Sequence, residues 1–316
     1  MSATTDPRAA FEAKLVELGK ADERIIAVSC DSASGGGLKS FFTTFPERSV
    51  EVGISEQNAV SLTAAMSRQG FIPVLVIINP FLTMRAFEQV RDDIGYMDTN
   101  VKIVGSGGGL AYSTLGSTHI AIEDIALMRT VPNLTIFAPG DADEVEFALE
   151  QSLAIEGPVY IRMPRQKRPF FKPSEQRNLS LTKAEVVQTQ DGELDVSIFA
   201  YGPSVSEAVK AETILRSNGI KAAVVNMLTV KPLDEEAVLE HSKKSKLIVT
   251  LEEHIPTGGL CDAVARVLAL NSSGVQFFPI AVPEGAKNTG PYDELVDYYG
   301  LSGDKVAKKI TELLGK

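Results

Sequence analysis

Cysteine is scarce in this chain: two residues, Cys30 and Cys261, among 316. Two thiols build no disulfide framework, and a reducing compartment is the simple reading. Neither belongs to a pattern with metal-ligand spacing. Membrane-length apolar runs are absent too. The stretch from Phe71 to Pro80 is too short to cross a bilayer and reads as a buried strand. Met1 to Ala10 has no apolar signal core. These absences predict a cytoplasmic chain with no membrane contact. Positive charge is in deficit: Lys and Arg number 31 against 41 Asp and Glu, a net charge of −10. That balance argues against nonspecific nucleic-acid binding. It leaves room for a local basic pocket that takes a phosphorylated substrate.

What remains is an ordinary globular composition, 44% hydrophobic and 23% charged. The length suits about two domains and is enough to bury roughly three quarters of the unfolded surface. Apolar strand patterns occur at 25–29, 73–78, 101–104, 134–137 and 159–161, with helical patterns such as 7–18 and 143–154 between them. The run 73–78 is apolar at nearly every position, as strands buried on both faces are. This is an α/β domain with a mostly parallel sheet. Residues 165–185 carry Lys, Arg, Pro and Ser with little periodicity, as a linker would. A second alternation follows, with strands expected at 196–200, 222–226, 247–250 and 275–278 and a helix at 205–217. The expected organisation is two doubly wound domains, 1–170 and a smaller 193–316, joined by a linker at 171–192.

The segment Glu51-Val52-Gly53-Ile54-Ser55-Glu56 leads straight into the apolar helical run 59–66. Glu56 therefore stands at the mouth of a buried helix, where desolvation disfavours a charged carboxylate. A carboxyl group so placed can share a proton with a basic ring nitrogen. The alternative is a helix-capping glutamate, favoured by the N-terminal dipole.

Further motifs follow in order: Phe81, Arg85 to Arg91, Gly116-Ser117-Thr118-His119, Glu123 to Arg129, Pro132-Asn133-Leu134 and Pro158 to Arg162. In this order and spacing the chain resembles the pyrimidine-binding and C-terminal domains of transketolase. The resemblance covers nearly the whole chain. It implies thiamine diphosphate as cofactor and Mg2+ as its metal. The family holds the diphosphate and metal with a Gly-Asp-Gly run and a downstream Asn on a separate domain. No Gly-Asp-Gly occurs here, and Gly140-Asp141 and Asp191-Gly192 are each incomplete. The resemblance thus implies an N-terminal transketolase subunit as partner, in an α2β2 heterotetramer, with no metal ligand in this chain.

Residue by residue, Glu56 matches the family glutamate that hydrogen-bonds the cofactor's pyrimidine nitrogen. Phe81 matches an aromatic that packs on that ring, a suitable use of a flat side chain. A second family aromatic falls at Ile78, so that wall is aliphatic here. Asp31 aligns with an aspartate near the cofactor. His119 matches a histidine that faces the donor substrate, and imidazole titrates near neutrality, as proton movement needs. Arg8 and Arg165 align with arginines that grip the substrate phosphate through their planar donor forks. Departures are clear. Leu115 and Gly107 replace an acidic residue and a histidine that read sugar hydroxyls and phosphate, and Gly35 replaces a serine. Each substitution removes a hydrogen bond from a site that discriminates through such bonds. His254 is expected to be structural or interfacial, and His241 solvated.

The resemblance leaves three functions open. One is the C-terminal subunit of a two-chain transketolase, moving a two-carbon ketol unit from a ketose (phosphate) donor to an aldose. A second is a subunit like the β chain of a 2-oxoacid dehydrogenase, passing a two-carbon unit to a lipoyl or acyl-carrier protein. A third is a non-catalytic binding subunit, which Glu56 argues against. The Gly-Ser-Thr-His run and the Arg8 and Arg165 pair favour the first.

Overall fold

Parallel strands buried on both faces need near-continuous apolar sequence, and the apolar runs form them. The computed structural model describes residues 5–316. Its strands are β1 (Ile25–Ser29), β2 (Ser49–Glu51), β3 (Ile72–Ile78), β4 (Lys102–Ser106), β5 (Thr135–Phe137), β6 (Val159–Met163), β7 (Glu185–Gln188), β8 (Leu194–Ala200), β9 (Ala222–Asn226), β10 (Thr229–Lys231), β11 (Ser245–Glu252) and β12 (Gln276–Ala281). One sheet runs β10-β5-β6-β4-β3-β1-β2 and the other β12-β11-β8-β9-β7. Within the first, only β10 is antiparallel to its neighbour; within the second, only β7 is. Helices pack on the sheets, among them Pro7–Ala21, whose N-terminus Asp6 caps by accepting from the N–H groups of Arg8 and Ala9.

The expected α/β class and the two mostly parallel sheets are present. Three strands are too short to be continuous apolar runs: β2, within the strand pattern that runs up to Gly53, and β7 and β10, where no strand is expected. Each is three or four residues long and lies at a sheet edge, where one face and one side need no burial. Two of them tie the halves of the chain together. β10 comes from the C-terminal half yet extends the first sheet by pairing with β5. β7 falls inside the span read as a linker. That span is not a loose tether: the side chain of Arg177 is buried there and reaches Asp141 at 2.7 Å, Glu144 at 2.6 Å and Glu185 at 2.8 Å.

A second buried charge cluster sits between the sheets. Arg162 on β6 grips Asp124 with two donors, Nε to Oδ2 at 2.8 Å and Nη2 to Oδ1 at 3.1 Å. Asn79 and the Tyr160 hydroxyl also donate to Asp124 Oδ2, each at 2.9 Å. Arg162 further donates to the carbonyls of Ala121 at 3.1 Å and Glu253 at 2.9 Å. Burial pushes the Asp124 carboxyl up, but the adjacent guanidinium together with the other hydrogen bonds to the carboxylate outweighs it and holds the group below the usual carboxylate range. Glu253 directly follows β11, so the cluster links both sheets. We expect Arg162→Met to lower unfolding free energy by about 3–5 kcal/mol, because it strands a buried carboxylate. Urea denaturation followed by circular dichroism reads this; a loss below about 1 kcal/mol, the scale of an exposed pair, contradicts it.

His241 is not solvated. The helix Glu235–Lys244 turns Val238, His241 and Ser242 inward. The ring meets Phe199 edge-on at 5.6 Å, and Nδ1 lies 2.6 Å from Ser197 Oγ. His254 is buried beside the ion-pair cluster, with Nε2 accepting from the N–H of Ala126 at 3.2 Å. Burial pushes both rings down, to about 4 from an ordinary 6.5. The unfolded chain protonates each below pH 6.5, the folded chain only below about 4. Their contribution to stability is therefore full above pH 6.5 and lost as pH falls from there towards 4. We expect His241→Gln to flatten the acid side of the stability profile in that window. An unchanged profile, or an NMR titration of the His241 ring itself near 6.5 in the native protein, contradicts it.

Candidate active site

Open α/β sheets place ligands beyond the carboxyl ends of their parallel strands. Most of the residues picked from the sequence lie there, Arg8 at the start of the first helix being the exception. Asp31 follows β1, Glu56 follows β2, Phe81 follows β3, Gly107 follows β4 and Arg165 follows β6. Glu56 is the first residue of the helix Glu56–Arg68, so the capping position and the functional position coincide. Glu56 as a whole is 4% exposed.

Arg85 completes the setting of Glu56. A π-helical turn spans Phe81–Arg85, a geometry that recurs at functional sites. It brings the Arg85 guanidinium to 2.8 Å from Glu56 Oε1 and to 4.2 Å from the centre of the Phe81 ring. The sequence suggested apolar neighbours alone for Glu56; the structure adds a cation. Phe81 in turn meets His119 edge-on at 5.1 Å. Thr118 Oγ1 lies 2.9 Å from His119 Nδ1, which orients the ring. On its other side His119 meets Tyr112 at 5.9 Å. Arg165 lies over the Tyr112 ring at 4.7 Å and donates to its hydroxyl at 3.0 Å. Glu56, Arg85, Phe81, His119, Tyr112 and Arg165 thus form one continuous line of contacts.

The glycine run after β4 makes this line possible. Gly107 has φ +79°, a left-handed conformation that glycine adopts without strain. A Cβ there would lie 2.6 Å from Cδ2 of Tyr112 and closer still to Cε2. At Gly108 a Cβ would press on Arg162 Cγ at 2.5 Å. The missing side chains leave room for the Tyr112 ring on one side and the buried Arg162 on the other.

Asp31 and Arg8 stand further from this line. Asp31 is exposed and left-handed at φ 53°, and its N–H donates to Glu51 Oε1 at 2.6 Å. Its neighbour Cys30 is a free, buried thiol pushed up to about 12 by desolvation, with the Glu56 and Glu51 charges adding. Asp31 is therefore one residue from a group within electrostatic reach of Glu56. Arg8 packs by Gly37. An ion pair of 3.3 Å between Lys167 and Asp6 ties the start of its helix to the segment carrying Arg165. Leu115 is exposed, and its hydrocarbon side chain has no donor or acceptor to supply the polar contact it replaces. Arg85 and Tyr112 were not legible in the sequence as site residues. Arg85 belongs to a family motif, but its contact depends on the π-helical turn. Among the described residues no three His, Cys, Asp or Glu side chains gather as a metal site.

Residues 3–169 match the transketolase pyrimidine-binding domain and residues 183–306 the transketolase C-terminal domain. The chain is 36% identical over 311 residues to a putative transketolase C-terminal section of Methanocaldococcus jannaschii, covering 98% of this chain and 96% of that protein. It is 34% identical over 311 residues to one of the subunits of the apulose-4-phosphate transketolase of Phocaeicola vulgatus, covering 98% and 97%. A solved split-gene transketolase, described as an inactive β4 tetramer, superposes with a TM-score of 0.89 at 34% identity and covers 98% of both chains. The chain belongs to the transketolase family and comprises its pyrimidine-binding and C-terminal domains.

Proposed function

We propose that this chain is the C-terminal subunit of a two-chain, thiamine-diphosphate-dependent transketolase, moving a two-carbon ketol unit from a ketose (phosphate) to an aldose. The observation that carries this reading is the nearly buried Glu56 set beside the Phe81 ring. Among the described residues Arg85 is the one hydrogen-bond donor to that carboxylate, so it keeps capacity to accept another. A carboxylate with spare lone pairs beside a partly exposed aromatic face fits a flat heterocycle with hydrogen-bonding nitrogens. Glu56, Phe81 and Asp31 are the residues on this side of the cofactor site. The bound cofactor supplies the carbon nucleophile that carries the ketol unit. Glu56 holds a hydrogen bond at the pyrimidine, Phe81 gives it a wall, and His119 moves protons at substrate hydroxyls. Arg8 and Arg165 attract the anionic end of a phosphorylated substrate.

The relatives named as a C-terminal section and as one subunit of a transketolase match this chain nearly end to end. Their match supports an N-terminal partner that carries most of the diphosphate and Mg2+ contacts, in an α2β2 assembly. Exposed Ile54, Met84 and Leu115 neighbour the site residues in sequence and offer apolar surface for such a partner. Among the described residues no helix is long and apolar enough to cross a membrane. A cytoplasmic enzyme accords with this and with the two free thiols.

The purified chain, given thiamine diphosphate, Mg2+ and a ketose phosphate, is expected to show no ketol transfer until a partner subunit is added. The description of the solved relative as inactive supports this expectation. A coupled assay that finds turnover by the lone chain overturns the two-chain reading. In the assembled enzyme, Glu56→Gln should cut kcat by about 10²–10⁴, the usual worth of a positioned acid–base group. Native mass spectrometry should show the complex still formed. Activity within a few-fold of wild type contradicts the role of Glu56.

A further inference from the structure

We infer that Tyr112 binds substrate, its phenol pairing with Arg165 to grip the phosphate end of the donor. The inference rests on the ketol-transfer reading for the reaction, but on its own geometry for the residue. The Tyr112 ring fills the space over Gly107, where any side chain would collide with it. That position carries a histidine in the family pattern, so the loss of one polar side chain coincides with the arrival of another. The ring lies between the His119 ring, at 5.9 Å, and the Arg165 guanidinium, at 4.7 Å. It therefore bridges the residue facing the reacting carbons and the residue facing the anion.

The hydrogen bonding fits an anion. Arg165 donates to the Tyr112 hydroxyl at 3.0 Å, which leaves the phenolic hydrogen to be donated elsewhere. Among the described residues no acceptor takes it, and no carboxylate pairs with Arg165. Phosphate oxygens accept from both. The loop is held in place from the same side, since the Gln166 side chain donates to the carbonyl of Ala111 at 3.1 Å. The hydroxyl and the guanidinium thus come from two segments pinned to each other, so their donors converge without rearrangement.

The test uses the chain assembled with its partner and thiamine diphosphate. Inorganic phosphate is titrated by calorimetry into wild type, Tyr112→Phe and Arg165→Met, and KM and kcat are measured with fructose 6-phosphate and with fructose. Loss of one hydroxyl donor to a charged oxygen should weaken phosphate binding about tenfold. KM for fructose 6-phosphate should rise by a similar factor, with kcat and the melting temperature essentially unchanged and the KM for fructose unaffected. A purely structural tyrosine would lower the melting temperature or affect both sugars alike, and either result overturns the inference. So does an unchanged phosphate Kd in Tyr112→Phe, or no measurable phosphate binding to wild type. Absence of ketol transfer in the wild-type complex counts against the reaction instead, and the phosphate titration still decides the role of Tyr112.

Discussion

The buried pair of Asp124 and Arg162 is the constraint on which the rest of the arrangement depends. A fully buried ion pair adds little stability over apolar packing of the same volume, yet breaking it is costly. Its effect here is geometric. Arg162 rises from the middle of the first sheet and is held from three directions, by a helix N-terminal carboxylate, by the Ala121 carbonyl and by the Glu253 carbonyl beyond the second sheet. The two sheets and the helix Asp124–Thr130 are thereby held in one orientation.

That orientation reaches the candidate site through the glycine run. Arg162 can occupy its place only because Gly108 has no side chain. The same run turns left-handed at Gly107, which opens the space the Tyr112 ring fills. From Tyr112 the contacts pass to Arg165 on one side and to His119, Phe81, Arg85 and Glu56 on the other. A structural requirement of the core and a polar surface in the cleft are thus set by neighbouring glycines in one loop.

Much of this was legible in the sequence, and the physical reason differs by element. The central strands could be read because burial on both faces demands continuous apolar residues; β1 and β9 fall at the expected positions. The short edge strands β7 and β10 could not, since pairing rather than composition defines them. Glu56, Phe81, His119 and Arg165 were readable because their motifs keep chain order and spacing. Arg85 and Tyr112 were not: the π-helical turn that aims Arg85 leaves no residue-type signature, and the glycine at 107 marks a turn without saying which ring fills the space above it. His241 was misread because one polar residue on a charged helix looks like a solvent-facing one until the sheet below is known.

Strand β10 bears on how such a chain can be divided. The C-terminal half supplies the outermost ribbon of the first sheet and covers the free side of β5. Cut away from that half, β5 would present a row of unpaired backbone donors and acceptors, a template for association with other chains. The two halves are consecutive in sequence, but the first is shielded from aggregation by the second. Any fusion, truncation or domain exchange that is to keep this edge covered has to carry residues 229–231 along with the pyrimidine-binding sheet.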